Sequence, residues 1–124
     1  MPTDPKDVAR RCYQAYADSD RSAIERIIAD DFHFTSPLDN RIDRATYFER
    51  CWPNNETILG FEFVHLLSDG SKVFVTYEAW NRSGKRFRNS EILTVRDGRL
   101  IDAEVYFGWN VPHEAPAGRS LAPE

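Results

Sequence analysis

Residues 87–95 read FRNSEILTV, residues 96–98 RDG and residues 99–109 RLIDAEVYFGW. In the first segment Phe87, Asn89, Glu91, Leu93 and Val95 alternate with Arg88, Ser90, Ile92 and Thr94. A period of two marks a strand with two unlike faces. In the last segment Ile101, Ala103, Val105, Phe107 and Trp109 alternate with Asp102, Glu104 and Tyr106. The sequence Val-Arg-Asp-Gly-Arg predicts a three-residue hairpin loop, a type I turn closed by Gly98 in the left-handed region. That register sets Val95 opposite Arg99 and Glu91 opposite Ala103, on one face with Ile101, Val105 and Phe107. A two-residue Asp-Gly turn would instead group Glu91 with Asp102 and Glu104. A slip of one residue reverses the faces. Glu91 is the informative residue: a carboxylate among apolar neighbours needs a partner, a proton or a task.

Working outward, the 124 residues fit one domain with a single modest core. Hydrophobic residues make up 41% and charged residues 29%, the balance of a folded soluble chain rather than a disordered one. A net charge of −4, with no basic run, argues against a nucleic-acid surface. No apolar run approaches the roughly 18 residues that span a bilayer. The segment MPTDPKDVARR lacks the apolar stretch of a signal peptide, so the cytoplasm is the expected location. Cys12 and Cys51 read as reduced small side chains rather than a disulfide. There is no CxxC, HExxH or glycine-rich phosphate loop. Eight Phe, five Tyr and three Trp suit either a packed core or the walls of a pocket for a flat organic ligand.

The pattern predicts helices first and strands after. Asp4 and Pro5 open a helix with Val8, Ala9, Cys12, Tyr13 and Tyr16 on its apolar stripe. Ser19 or Asp20 opens a second, with Ile24, Ile27 and Ile28 inward, ending at Asp30 and Asp31. Phe32 to Ser36 reads as a short strand stopped by Pro37, and Asp39-Asn40 as a turn. Asp43 caps a third helix carrying Tyr47, Phe48, Cys51 and Trp52, terminated by Pro53. Gly60–Leu67, with Phe61, Phe63 and His65 on one side, and Lys72–Trp80 are the next strands. A two-residue Ser83-Gly84 turn then sets Thr76 opposite Glu91 and Glu78 opposite Asn89. The expected architecture is α+β: a cone-like curved antiparallel or mixed sheet packed on three N-terminal helices. Residues 1–111 form the expected domain and residues 112–124 an irregular Pro-rich tail.

The stretch ADSDRSAIERIIADDFHFTSPLD resembles the N-terminal half of nuclear transport factor 2-like, cystatin-like proteins, and RDGRLIDAEVYFGW resembles their final hairpin. The resemblance covers roughly residues 5–109 and is nearest to the SnoaL-like branch, which holds polyketide cyclases and ketosteroid isomerase relatives. It implies the cone fold strongly and the chemistry weakly. Ketosteroid isomerases place a basic Asp just before the Pro of the first strand, where this chain has Ser36. Their phenolic Tyr on the first helix corresponds to Cys12, and their second acid to Glu91. Two of the three groups are therefore absent, and only the pocket acid is retained. Polyketide cyclases of this fold use an acid in the same region.

Glu91 is the candidate catalytic residue, as general acid, general base or donor to a developing oxyanion; the alternative is a structural carboxylate paired with an Arg or Tyr. The expected pocket also holds Tyr16, Phe34, Ser36, Trp52, His65, Glu78, Trp80, Asn89 and Phe107. Glu78 either shares a proton with Glu91 or sits at the sheet rim bound to water or Arg. His65 is a titratable candidate but more often a core histidine. Three scattered histidines make no metal site, and neither metal nor cofactor is expected. The expected partner is a small apolar organic molecule, with no nucleic acid and no membrane. A homodimer is also expected, across an outer sheet face carrying Tyr77, Ile92 and Tyr106. Three functions stay open: a cofactor-independent isomerase, cyclase or dehydratase; a non-catalytic ligand-binding module; and a dimerisation module.

Overall fold

An aspartate starts each of the three helices. Asp4 accepts from the Lys6 amide at 2.9 Å ahead of α1 (Pro5–Ala17), and Asp20 from the Ala23 amide at 3.1 Å ahead of α2 (Arg21–Ile27). Asp43 accepts from the Thr46 amide at 2.9 Å ahead of α3 (Arg44–Arg50). Each carboxylate satisfies an amide that the first helical turn cannot. The computed structural model describes residues 4–115. After α3 comes a short 3₁₀ turn, Trp52–Glu56. The strands are β1 (Ile28–Ser36), β2 (Asp39–Asp43), β3 (Ile58–Asp69), β4 (Lys72–Asn81), β5 (Arg86–Arg96) and β6 (Arg99–Val111). They form one curved sheet in the order β2-β1-β6-β5-β4-β3, parallel between β1 and β6 and antiparallel elsewhere. The fold is α+β, three helices on a six-stranded mixed sheet. Among the described residues no helix is long and apolar enough to cross a membrane. Most of the expected tail, residues 116–124, lies outside the described residues.

The core lies between the helices and the inner sheet face. Val8, Ile24, Ile28, Phe32, Val73, Leu93 and Leu100 are its largest fully buried members. Two boundaries differ from the sequence reading. The chain leaves α2 at Ile27, and Ile28 already pairs with Leu100, so β1 begins four residues before Phe32. Parallel pairing with a distant strand overrides a local pattern that continues the helix. Asp39-Asn40 is no turn but the start of β2, which pairs back on β1 through Phe34↔Ile42.

Both hairpin loops differ from expectation, each taking the length assigned to the other. Asp97 (φ 53°) and Gly98 (φ 77°) form a two-residue turn with Arg96 opposite Arg99. Two left-handed residues in succession match the right-handed twist of a hairpin. Unaltered, this register would bring Glu91 against Glu104. A bulge prevents it: Val95 pairs with Leu100 but Thr94 with Asp102, leaving Ile101 over. The extra residue restores the parity, and Glu91 pairs with Val105. Leu100, not Ile101, enters the core.

The loop between β4 and β5 has three residues rather than two. The Asn81 side chain accepts from the amides of Ser83 and Lys85, each at 3.1 Å, and builds the longer turn. Val75 therefore opposes Glu91, Tyr77 opposes Asn89 and Glu78 opposes Arg88. Tyr77 points inward, and Glu78 and Trp80 point outward. A bulge in β3 between Phe63 and His65 likewise turns His65 out to solvent. A third bulge, between Arg88 and Asn89, leaves Gly108 unpaired in the β5–β6 ladder.

The outer face has its own order. Glu78 is only 7% exposed, covered by Arg86 at 2.6 Å and Arg88 at 2.9 Å. Bonds from Arg88 and Arg86 hold its carboxyl below the usual range. Trp80 lies over Gly60 with the Arg86 guanidinium 4.7 Å from its ring centre. Leu67, Phe74, Tyr106 and Trp109 stay exposed.

Two glycine substitutions test the register devices. Gly98→Ala is expected to cost about 1–2 kcal/mol, the penalty of a side chain in the left-handed region. Gly108→Ala is expected to cost more, because its Cβ would meet the Arg88 carbonyl oxygen at 2.1 Å. Urea denaturation midpoints rank the two variants; equal midpoints would remove the packing role assigned to Gly108.

Candidate active site

The inner face and the helices enclose a cavity of about 610 Å³. That is within the usual span for a small-molecule site. Cys12, Tyr13 and Tyr16 of α1 form one side, with Tyr47 of α3 beside them. The opposite wall is Tyr77 and Ala79 of β4, Phe87, Asn89, Glu91 and Leu93 of β5, and Leu100, Ala103 and Val105 of β6. Ile28, Phe32, Phe34 and Ser36 of β1 close the third side. Leu38, Asn54, Thr57 and Phe107 are exposed and make the rim.

Of the ten residues expected at the site, Glu91, Tyr16, Phe34, Ser36, Asn89 and Phe107 line this cavity. Four do not. Trp52 is buried behind Tyr16, with ring centres 4.9 Å apart, and packs rather than lines. His65 is turned outward by the β3 bulge. Glu78 and Trp80 are on the outer face, because the β4–β5 loop has one residue more than the two-residue turn assumed. The carboxylate pair Glu78–Glu91 therefore does not exist; the sheet separates them.

Glu91 faces the cavity without a cation. The Tyr77 hydroxyl donates to its Oε1 at 3.2 Å. Burial pushes the Glu91 carboxyl up to about 7, against the lowering effect of the Tyr13 and Tyr77 hydroxyls. Desolvation wins because no guanidinium or ammonium stands within reach to favour the ionised form. Tyr13 is buried against Phe61, Phe63 and Tyr77, at 5.8, 5.3 and 4.9 Å between ring centres. Its hydroxyl is close enough for the Glu91 charge to act on it, yet closes no well-formed hydrogen bond. Tyr16 and Tyr47 are bonded hydroxyl to hydroxyl, a second polar point in the cavity. Burial raises the pKa of all these phenols, so they stay protonated donors at neutral pH.

Toward the rim, Ser36 donates to Asp39 Oδ2 at 2.9 Å and accepts from the Leu38 amide at 3.0 Å. Arg50 pairs with Asp39 at 2.8 Å. Ser36 is thus engaged in a turn, and the carboxylate beside it is held in an ion pair with Arg50, an arrangement that caps the turn rather than activates a nucleophile. Burial raises the thiol of Cys51 to about 11 and raises Cys12 further, so neither is a reactive thiolate. Among the described residues no group of His, Cys, Asp or Glu gathers as a metal site.

The sequence reading missed Tyr13, Tyr47 and Tyr77. Tyr77 carried a signal: Val73, Val75, Tyr77 and Ala79 alternate with Lys72, Phe74, Thr76 and Glu78, an apolar face that includes it. Tyr47 was assigned only to a core stripe, and nothing local distinguishes a packed phenol from one that meets a cavity.

Three solved structures frame this geometry. A candidate ketosteroid isomerase from Kribbella flavida DSM 17836 has 21% identity and a TM-score of 0.73, covering 97% of this chain and 88% of its own. An LEH-like epoxide hydrolase from M. tuberculosis has 18% identity and a TM-score of 0.68, covering 84% and 82%. IdmH, a candidate polyketide cyclase from Streptomyces antibioticus, has 17% identity and a TM-score of 0.69, covering 83% and 91%. At these identities the likeness is one of fold. Among curated proteins nothing matches the sequence significantly. The family profile described as the SnoaL-like domain matches residues 9–103, most of the chain, and the protein therefore belongs to the SnoaL-like domain family.

Proposed function

We propose that this protein binds a small, largely apolar, carbonyl-bearing molecule in the cone and moves a proton on it with Glu91, without a cofactor. The observation that carries this reading is the Glu91 carboxyl: inside an aromatic cavity, uncompensated by any cation, and raised to about 7 by burial. A general acid–base works best when its ionisation lies near the working pH. As carboxylate, Glu91 takes a proton from a carbon next to the ligand carbonyl. The C–H electron pair becomes the enolate double bond, and the carbonyl π pair moves to oxygen. Buried phenols supply donors for that oxygen. Returning the proton to another carbon completes an isomerisation; in a cyclisation the enolate carbon attacks a second carbonyl, whose π pair moves to its oxygen and takes the proton back from Glu91.

A pure binding role is the second reading, favoured by Ser36 and Cys12 standing where ketosteroid isomerases resembling this chain carry Asp and Tyr. The two readings part on one experiment. Enolisable ketones in D₂O, followed by NMR, should exchange their α-protons faster with wild type than with Glu91→Gln, by about 10²-fold or more. If no ketone in a broad panel exchanges faster with wild type, the catalytic reading fails and binding remains.

The ionisation of Glu91 also sets a pH signature of stability. The unfolded carboxyl ionises near its ordinary 4.5 and the folded one near 7. Between those values the unfolded chain binds fewer protons, so wild-type stability falls as pH rises and levels off above about 7. Glu91→Gln removes the penalty. Its advantage should be near zero at pH 4.5 and grow to about 3 kcal/mol above pH 7, an upper estimate from the size of the shift. Urea melts across that range check it; a pH-independent difference would place the Glu91 ionisation at its ordinary value.

We further propose that two copies pair through the outer face, where Leu67, Phe74 and Tyr106 are exposed beside Ile92. Tyr77, assigned to that face by the sequence reading, is not available, being inside. Sedimentation should report a dimer that Phe74→Lys dissociates; a wild-type monomer at micromolar concentration would refute the pairing.

A further inference from the structure

The bulged glycine begins a hydrogen-bond chain that ends on the acid. The Gly108 amide donates to Asn89 Oδ1 at 3.1 Å. Asn89 Nδ2 lies 3.4 Å from the Tyr77 hydroxyl oxygen. The Tyr77 hydroxyl lies 3.2 Å from Glu91 Oε1. The direction of each link follows from the first. A backbone amide only donates, so the Asn89 carbonyl oxygen must face Gly108. The Asn89 amide nitrogen then faces Tyr77, and it too only donates. The Tyr77 oxygen is therefore an acceptor on that side, and its own proton is left for Glu91.

We propose that Asn89 and Tyr77 are positioning residues that keep Glu91 Oε1 an acceptor in both protonation states, so that Oε2 is the oxygen that carries and transfers the proton. Oε2 closes no well-formed hydrogen bond with a described residue and is left to the cavity, with the Tyr13 hydroxyl as the other neutral donor beside the carboxyl. A free carboxyl offers two equivalent oxygens and two rotations; this chain removes that freedom. The backbone makes the device possible. Gly108 is the residue left over by the bulge, so its amide is not taken up in the β5–β6 ladder. Only a residue without Cβ approaches the Arg88 carbonyl so closely. The titratable groups facing Glu91 are Cys12, Tyr13 and Tyr16 from α1, Tyr47 from α3 and Tyr77 from β4, all of them held protonated by burial, while Cys51 and the Arg50–Asp39 ion pair line the same cavity toward its rim. β5 and β6 add none from their inner faces.

The proton order stands on geometry; its use in catalysis rests on the acid–base reading above. Carbon-13 NMR of the Glu91 side-chain carboxyl in the full-length protein tests it. Tyr77→Phe removes the donor and should raise the Glu91 midpoint by about one pH unit. Asn89→Asp puts an acceptor where a donor stood, so the Tyr77 proton turns away from Glu91. That substitution also adds a charge, which would raise the midpoint by itself. The distinguishing quantity is coupling: Asn89→Asp should shift the midpoint further in the wild-type background than in the Tyr77→Phe background. Equal shifts in both backgrounds would overturn the proposal. A second measurement needs no variant. In wild type, the Asn89 side-chain amide and the Gly108 backbone amide resonances should titrate with the Glu91 midpoint, and their failure to move would also overturn it. If both titrations behave as stated while no ketone exchanges, the proton order stands and the acid–base reading alone falls.

Discussion

A carboxyl enclosed by the cone that answers to hydroxyl groups rather than to a cation is the constraint around which this structure is arranged. Glu91 is surrounded by phenols, a thiol and aliphatic side chains, and what compensates it is the pair of Tyr13 and Tyr77 hydroxyls, the latter at 3.2 Å. A neutral donor favours the ionised form far less than a guanidinium does, so burial dominates and the proton is held to about 7. The fold bears the destabilisation that follows at neutral pH. Filling the same position with an apolar residue would remove that penalty, and a sheet with so many aliphatic side chains on its inner face does not need Glu91 for cohesion.

Sheet parity carries that constraint. The face on which Glu91 falls depends on the count of residues between Val95 and Ala103. Two devices alter that count: a tight Asp97-Gly98 turn and a bulge at Ile101. The tight turn alone would set Glu104 against Glu91; the bulge puts Val105 there instead. Together they cancel. The third irregularity, at Gly108, comes after Glu91 is placed and frees an amide to orient Asn89. The bulges thus set side-chain direction, a use such features have beside active sites.

Much of the architecture was legible in the sequence because it depends on long-range patterns. Three aspartate caps, the helical stripes and the period-two strands each repeat a signal over many residues. The face of Glu91 was also legible, although by a route that the structure replaces: a three-residue turn was inferred where a two-residue turn plus a bulge gives the same parity. Glu78, Trp80 and His65 show where such reading ends. Each was assigned by counting from a turn, and one added residue, from the Asn81-built loop or the β3 bulge, reverses a face. The side chains that decide those loops act through backbone hydrogen bonds that composition does not reveal. β2 was missed because Asp39 and Asn40 favour turns locally and become strand only through pairing with β1.

The two faces of the sheet set neighbouring carboxylates to opposite tasks. Glu78 and Glu91 lie on adjacent strands with their side chains on opposite sides. Arg86 and Arg88 pull the Glu78 carboxyl down, while burial pushes that of Glu91 up. The same residue type is thereby an ion-pair hub outside and a protonatable group inside. Where environments drive two like groups apart in this way, the one held near neutrality is the one able to exchange a proton. The arginines that could neutralise Glu91 are present on β5, at positions 86 and 88, and are kept from it by alternation alone. A single-residue slip of β5 would deliver a guanidinium into the cone and convert the acid into a buried ion pair. The irregular turns and bulges that fix the register are therefore also what keeps the β5 arginines out of the cavity, where the one lining guanidinium, Arg50, is paired with Asp39 toward the rim.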